Sequence, residues 1–302
     1  MYIRVFLNLV GGIWILGSLA VQAQPDPLFQ KKLNAHSLSE RWELDSVTKR
    51  GVFLITPYKP VYITAGRWSD KPNEQPFSEN PAYSLPFRVD YGNYEAKYQL
   101  SFKVKLLQEI FGKHGDLWIA YTQRSHWQIY NTEFSRPFRE TNYEPEVLLN
   151  FATNFSLLGF KLRMMGIGLN HQSNGRALPL SRSWNRVIAH AAFERGKWVL
   201  LIRPWYRLKD TDDENPAITD YIGRADATLT YNAGRNLFAL TSSHSLRLGR
   251  KNRGQLLFDW TCRIRNYLRG HMQLMHGYGE TLVDYNHRQT TIGLGISLVE
   301  WL

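Results

Sequence analysis

From Glu95 to Leu106 the chain reads EAKYQLSFKVKL, with Ala96, Tyr98, Leu100, Phe102, Val104 and Leu106 at even positions and Glu95, Lys97, Gln99, Ser101, Lys103 and Lys105 at odd ones. Successive side chains of a strand point to opposite sides, so strict period two predicts a strand with one apolar and one charged face. The alternation returns where Leu256, Phe258, Trp260, Cys262 and Ile264 face Asp259, Thr261, Arg263 and Arg265. It also ends the chain, where Ile292, Leu294, Ile296 and Leu298 alternate with Thr291, Gly293, Gly295 and Ser297. Weaker versions run through Ala225, Ala227, Leu229 and Tyr231, and through Trp198, Leu200, Ile202, Tyr206 and Leu208. Each run suits a tilted membrane strand of about 9–11 residues.

The connections alternate as well. Tight turns are expected near Lys113, Gly159, Gly196, Gly234 and Arg269, and longer polar loops around 131–145, 174–183, 209–222, 249–254 and 279–287. Short turns at one end and long loops at the other are the habit of outer-membrane barrels, whose short turns are periplasmic and long loops extracellular. These boundaries give eleven strands from residue 95 onward, and a weaker pattern from Phe53 to Thr64, followed by a long loop from Arg67 to Tyr94, supplies a twelfth. The expected fold is all-β: a twelve-stranded antiparallel transmembrane β-barrel. After the N-terminus no stretch has the 18 or more apolar residues of a spanning helix, so a closed barrel is the way into a membrane.

At the N-terminus, Arg4 precedes an apolar run from Val5 to Ala20, and VQA ends at Ala23 as a small-residue cleavage signal. Residues 1–23 therefore read as a secretory signal peptide. A membrane anchor would need about 20 apolar residues. Residues 24–50 read as an N-terminal periplasmic arm before a barrel spanning 51–302. Within the arm, Ser37 and Glu40 form a capping-box signature, which fits a short amphipathic helix as well as a flexible leader. A single cysteine, Cys262, excludes an intramolecular disulfide, so burial and backbone pairing must hold the fold.

The formal net charge of +11 suits anionic partners. A secreted chain with its basic residues spread along its length argues against nucleic acid, and the excess reads as a solvated basic surface or channel lining.

Candidate chemistry sits in LNHQSNGR, residues 169–176. Met165, Ile167 and Leu169 are odd-numbered, and so are His171 and Ser173, which places both on the lipid-facing side of the strand. In the next strand Val187, Ala189, Ala191 and Phe193 are odd and apolar, so Asn185 faces outward too. Ser173 is suited to attack a lipid ester, with His171 as general base and Asn185 fixing the imidazole tautomer. Neutral Asn185 cannot stabilise an imidazolium as a carboxylate would, so backbone donors or a metal ion are expected beside it. His-x-Ser alone is a common chance pattern and equally fits a polar rim capped by the turn QSNG.

The longer string narrows this. NHQSNGR, followed after four residues by SRSWNR, resembles the signature of the outer membrane phospholipase A family. The similarity extends in order to YTQRSHWQIYN (121–131), PFRETNYEP (137–145), PWY (204–206), TDDENPAITDYIG (211–223) and GYGETLVDYN (277–286). The resemblance implies a twelve-stranded barrel with a Ser173–His171–Asn185 triad on its outer face, hydrolysing acyl esters of phospholipids and lysophospholipids at the A1 and A2 positions. It implies dependence on calcium (Ca2+) and activation by homodimerisation. The active ion would be held by backbone carbonyls matching Arg176 and Ser181, with a serine from the partner subunit matching Ser135. Gln123 matches a dimer contact; without the resemblance it reads equally as lumen filler. The implied location is the bacterial outer membrane, with the active site towards the outer leaflet.

Three departures from the family pattern stand out. Leu178 replaces an aspartate of a separate monomer calcium site, whose other carboxylate matches Asp213. Glu214 is an extra residue in that loop, able to compensate in part. The chain ends in Trp301–Leu302 instead of an aromatic residue. The competing reading is a non-enzymatic barrel, a pore or adhesin, in which His171 and Ser173 are rim residues.

Overall fold

The structure, a computed structural model, describes residues 37–157 and 159–301. The expected signal peptide lies outside the described residues. The main architecture is a closed antiparallel barrel of twelve strands, β2 (Val61–Ser69), β3 (Tyr94–Leu107), β4 (Asp116–Trp127), β5 (Glu140–Leu157), β6 (Phe160–Ser173), β7 (Ser183–Arg195), β8 (Trp198–Leu208), β9 (Ala225–Ala233), β10 (Asn236–His244), β11 (Gly254–Arg265), β12 (Leu268–Tyr278) and β13 (Arg288–Val299). Consecutive strands pair, and β13 closes the ring on β2 through Ile296–Ile63 and Ser297–Tyr62.

A short β1 (Ile55–Pro57) continues the edge that β2 offers to β3, pairing Ile55 with Val104 and Pro57 with Phe102. The expected strand from Phe53 to Thr64 is thus two pieces. Pro57 and Pro60 remove two backbone donors between them, which explains both the break and the weak pattern. β2 then runs to Ser69, past the residue where the following loop was expected to begin.

Polarity is inverted relative to a soluble protein. In β3 the charged set Glu95, Lys97, Lys103 and Lys105 is buried, and Leu100 is exposed. Outward positions elsewhere carry Ile119, Ile167, Leu169, Leu240, Leu256 and Leu294, all exposed. Bilayer is the solvent that makes such a surface favourable. Arginine for Leu240, midway along β10, is expected to cost about 2–4 kcal/mol, read as a lower urea midpoint of the barrel refolded into lipid vesicles. An unchanged midpoint would put Leu240 off the lipid face.

Much of the basic excess lies in the lumen, paired. Lys59 meets Glu144 at 2.8 Å and Glu146 at 3.1 Å, and Arg203 meets Glu146 at 2.9 Å. Glu95 receives Arg67, Arg139 and His126, and Glu280 receives Arg67 and Lys97. Buried charges survive only with such partners. In the 279–287 loop, burial pushes the Asp284 carboxyl up, but Arg139 at 3.0 Å, with Thr281 and Asn73, outweighs it and holds the group below the usual carboxylate range.

Both ends of the lumen are filled. Ser37 caps α1 (Leu38–Trp42) by accepting from the Glu40 N–H at 3.2 Å, and Glu43 ends it in the left-handed region at φ 58°. Leu38, Trp42 and Leu44 then join Trp118, Ala120, Leu148, Met164, Ala192 and Val199 in one apolar cluster. The helical alternative therefore holds, and the described part of this segment is lodged in the short-turn end of the barrel. At the long-loop end Leu282, Tyr285 and Ile218 of α2 (Ile218–Tyr221) pack on Trp184, Ile188 and Trp205.

The short connections are 108–115, the one joining β5 to β6, 196–197, 234–235 and 266–267; the long ones are 70–93, 128–139, 174–182, 209–224, 245–253 and 279–287. Three of these expected boundaries need correction, the first being the loop expected at 249–254, which begins at residue 245 because β10 ends at His244. The loop expected at 131–145 ends at residue 139, because Pro145 lies inside β5 opposite Tyr121. The turn expected near Arg269 is at 266–267, where Asn266 takes the positive φ of 49°.

Candidate active site

The site is built on β6 and β7. His171 and Asn185 are directly opposed in the strand register, and His171 Nδ1 lies 2.8 Å from Asn185 Oδ1. An amide oxygen only accepts, so Nδ1 carries the hydrogen and Nε2 keeps its lone pair. Ser173 is two residues further along the same face, with Cα atoms about 7 Å apart on strand geometry. All three are half-buried and share the side occupied by the exposed Met165, Ile167 and Leu169. Among the described residues Ser173 Oγ makes no side-chain hydrogen bond, so the nucleophile–base contact is open in this state. Catalytic hydrogen bonds are often loose before substrate binds.

Behind this face, the lumen side chains fix the two strands to each other. Asn170 Oδ1 accepts from Arg186 Nε at 3.0 Å and Nη2 at 2.6 Å, and its Nδ2 donates to Glu144 at 2.9 Å. Trp184 Nε1 donates to Gln172 Oε1 at 2.9 Å, and the Arg186 guanidinium stacks 4.0 Å over the Trp184 ring. Outward residues on a strand pair locked in this way have little freedom to drift.

The loop 174–182 is held by its first residue. Asn174 Oδ1 accepts from Arg176 N at 3.3 Å and Arg182 N at 3.0 Å; Nδ2 donates to Leu180 O at 2.7 Å and to Glu140. One buried amide thus sets the backbone on which Arg176 and Ser181 sit. Nothing in sequence periodicity marks Asn174 or Glu140 for this job.

The residues expected to serve a metal are distributed as follows. Arg176 and Ser181 lie on the one clamped loop, and the Ser181 carbonyl accepts from Arg182 Nη1 at 2.7 Å. Asp213, matched to the separate monomer site, is held within its own loop: its Oδ1 accepts from Arg207 Nη2 at 2.5 Å and from Asn215 N at 3.0 Å. Ser181 Oγ instead donates to Glu214 Oε1 at 2.6 Å. Ser135 lies in the β4–β5 loop, where its carbonyl accepts from Trp127 Nε1 at 2.8 Å. Among the described residues no three His, Cys, Asp or Glu side chains converge as a metal cluster. Leu178, where the resemblance expects an aspartate, is exposed.

A groove of about 560 Å³ runs along the outer face beside His171 and Asn185, bordered by Phe102, Ile119, Tyr121, Val147, Leu169 and Leu208. Gln123 is also on this outward side, accepting from Tyr121 OH at 3.1 Å, so its lumen-filler reading is set aside. Polar side chains on a lipid-facing surface need such mutual pairing.

Comparisons with known proteins bear on this arrangement. The phospholipase A1 family model matches residues 38–298. A putative phospholipase A1 of Neisseria meningitidis is 39% identical over 270 residues, covering 86% of this chain and 69% of its own. Phospholipase A1 of Escherichia coli K12 is 38% identical over 246 residues, 82% of each chain. Among solved structures, outer membrane phospholipase A from Escherichia coli superposes with a TM-score of 0.74 at 35% identity, over 83% of this chain and all of that one. A Salmonella typhi outer membrane phospholipase, a dimer with bound calcium, gives 0.75 at 34% identity, over 83% of this chain and 94% of that one. These matches set aside the non-enzymatic pore or adhesin: the chain belongs to the phospholipase A1 family and is a β-barrel phospholipase of the bacterial outer membrane.

Proposed function

We propose that Ser173, His171 and Asn185 act together as a triad on the outer barrel face, hydrolysing acyl esters of phospholipids and lysophospholipids at both glycerol positions. The observation that carries this reading is the 2.8 Å His171–Asn185 contact beside an apolar groove on a lipid-facing surface. His171 Nε2 takes the Ser173 proton as Oγ attacks the ester carbonyl. His171 then returns that proton to the departing alcohol oxygen, leaving an acyl-serine. Water, deprotonated by the same nitrogen, cleaves the acyl-enzyme to free fatty acid and restores the serine.

The acyl chain lies in the groove bordered by Phe102, Val147 and Leu169, and the headgroup stays towards the long loops. Those loops face the cell exterior, which sets the site at the outer leaflet, as the short-turn and long-loop asymmetry supports.

Calcium fits the donor set. Arg176 and Ser181 offer backbone carbonyls on a loop clamped by Asn174, and the Glu214 carboxylate has a buried Oε2 without a hydrogen-bond partner among the described residues. Oxygen donors of this kind suit a hard divalent ion. When bound, the ion supplies the electrostatic stabilisation of a developing oxyanion that neutral Asn185 lacks. Activity resides in a homodimer, in which Ser135 serves the partner's site; among the described residues Ser135 makes no hydrogen bond to its own 174–182 loop, its carbonyl accepting from Trp127 Nε1 instead. The Salmonella typhi relative, a calcium-bound dimer, supports this reading, and Gln123 sits outward where a second barrel can meet it.

Detergent-solubilised protein given a labelled phospholipid should release fatty acid with calcium and not with chelator. No release under dimer-promoting conditions would overturn the calcium-dependent reading. Asn185→Ala should retain measurable activity, about 10–100-fold down, because a neutral orienting group contributes less than the roughly 10⁴-fold of a triad carboxylate. Loss of all turnover would contradict an orienting role.

A further inference from the structure

We propose that the long-loop rim over β10 to β13 holds the phosphate of an anionic lipid at the outer leaflet. This part of the ring is separated from β6 and β7 by β8 and β9 on one side and by β2 to β5 on the other, so the site is distinct from the catalytic face.

The loop joining β10 to β11, residues 245–253, reads SLRLGRKNR, with Arg247, Arg250, Lys251 and Arg253 and no acid. Among these charges stand Leu246, 64% exposed, and Leu248, 92% exposed. Water suits the basic side chains and not the leucines; the boundary between acyl chains and headgroups suits both. The loop is also braced. His244 Nδ1 accepts from Leu246 N at 2.9 Å while Nε2 donates to Asn252 Oδ1 at 2.7 Å, and Ser245 Oγ donates to the Lys251 carbonyl at 2.7 Å.

Below the loop the outer face changes character within one outward step of each strand. Leu240, Leu256, Leu274 and Ile292 are exposed on the lipid side, and the next outward positions towards the long loops are Ser242, Gly254, His276 and Thr290. A groove of about 320 Å³ opens at this level, lined by His244, Asn252, Arg253, His276, Tyr278 and Arg288. Arg288 Nη2 donates to His276 Nε2 at 2.9 Å, and His276 Nδ1 donates to Thr290 Oγ1 at 2.9 Å, which holds the Arg288 guanidinium at the outer face. The Arg253 guanidinium is stacked 4.1 Å over the Tyr221 ring.

These cations are not neutralised locally. Of the bordering acids, Asp220 pairs with Arg224 at 2.8 Å and reaches Arg247 at 3.9 Å, and Asp70 accepts from Thr290 N at 2.7 Å. Among the described residues no carboxylate pairs with Arg250, Lys251, Arg253 or Arg288, whereas in the lumen Lys59, Arg67, Arg139 and Arg203 each have one. Guanidinium forks match phosphate oxygens, and cations at a bilayer surface add to one another in attracting anionic headgroups. Free phosphate would satisfy the charges and leave Leu246 and Leu248 bare. Phosphate carried on acyl chains covers both.

The test titrates the full chain in non-ionic detergent with a dialkyl-ether phosphatidic acid, which has no ester to cleave, in chelator so that no divalent ion bridges the phosphate to an acid. Bound lipid is read by native mass spectrometry and by the rise in thermal unfolding midpoint. Wild type should bind this lipid, less tightly as salt is raised. A dialkyl-ether phosphatidylcholine and inorganic phosphate should each bind at least tenfold more weakly. Arg253→Gln combined with Arg288→Gln should raise the half-saturating lipid concentration about tenfold or more. Arg250→Gln combined with Lys251→Gln should do the same, and because both side chains are exposed on the loop this pair decides the matter should the first fail to fold. Lys113→Gln combined with Arg265→Gln, which removes two exposed charges at the short-turn end, should stay within about twofold of wild type. Equal loss in that control would make the effect one of net charge and overturn the site. Inorganic phosphate binding as tightly as the lipid would overturn the lipid assignment, and so would wild type that binds no phosphatidic acid.

Discussion

Ser173→Ala is expected to slow fatty-acid release by about 10⁴-fold or more, the scale on which loss of a nucleophile acts in other triads. The barrel should fold unchanged. Ser173 sits at the last position of β6, half-buried, and its hydroxyl makes no side-chain hydrogen bond among the described residues, so removing it breaks no packing or pairing. Its backbone register with Tyr143 and Ser183 is untouched by the change. Folding is checked by strand content and by the urea midpoint in lipid vesicles, turnover by a labelled phospholipid. A variant that folds and still turns over within tenfold of wild type would remove Ser173 from the chemistry. One that fails to fold would mean the hydroxyl is structural.

Calcium removal is the second large effect. With chelator, release should fall by about 10²–10³-fold or more, the cost of deleting one electrostatic stabiliser of an oxyanion. Neutral Asn185 can orient His171 but brings no charge to the site, and a bound cation would stabilise the other charge that develops, the negative one on the ester oxygen. Readdition of calcium should restore the rate fully, because the 174–182 loop is clamped by Asn174 and does not depend on the ion for its shape. Unchanged release in chelator would mean that backbone donors suffice. Irreversible loss would mean that calcium holds the loop together.

Side-chain parity made much of this legible before any coordinates. Period two in EAKYQLSFKVKL and its counterparts identifies which face meets lipid, and the same count carries His171, Ser173 and Asn185 outward. Loop boundaries are less legible than strand faces: Pro145, at the end of the loop expected over 131–145, sits in β5, and the turn expected near Arg269 is made by Asn266. Long-range pairing left no local trace: Asn174 reaching Glu140 on the neighbouring strand, or Arg139 reaching Glu95 and Asp284, joins residues far apart in sequence. The position of α1 inside the barrel was equally hidden, since Trp42 gives no sign of meeting Trp118. The ion pair between Arg207 and Asp213 lies within a loop whose conformation periodicity does not describe.

The outward nucleophile is tested most directly by a long-chain alkyl sulfonyl fluoride, whose sulfur is attacked by an activated serine oxygen with loss of fluoride. Applied with calcium in lipid or detergent and mapped by peptide mass spectrometry, it should attach once per chain, at Ser173, and His171→Ala should prevent attachment. Labelling at another residue, or full activity in protein that carries no label at Ser173, would contradict a lipid-facing triad.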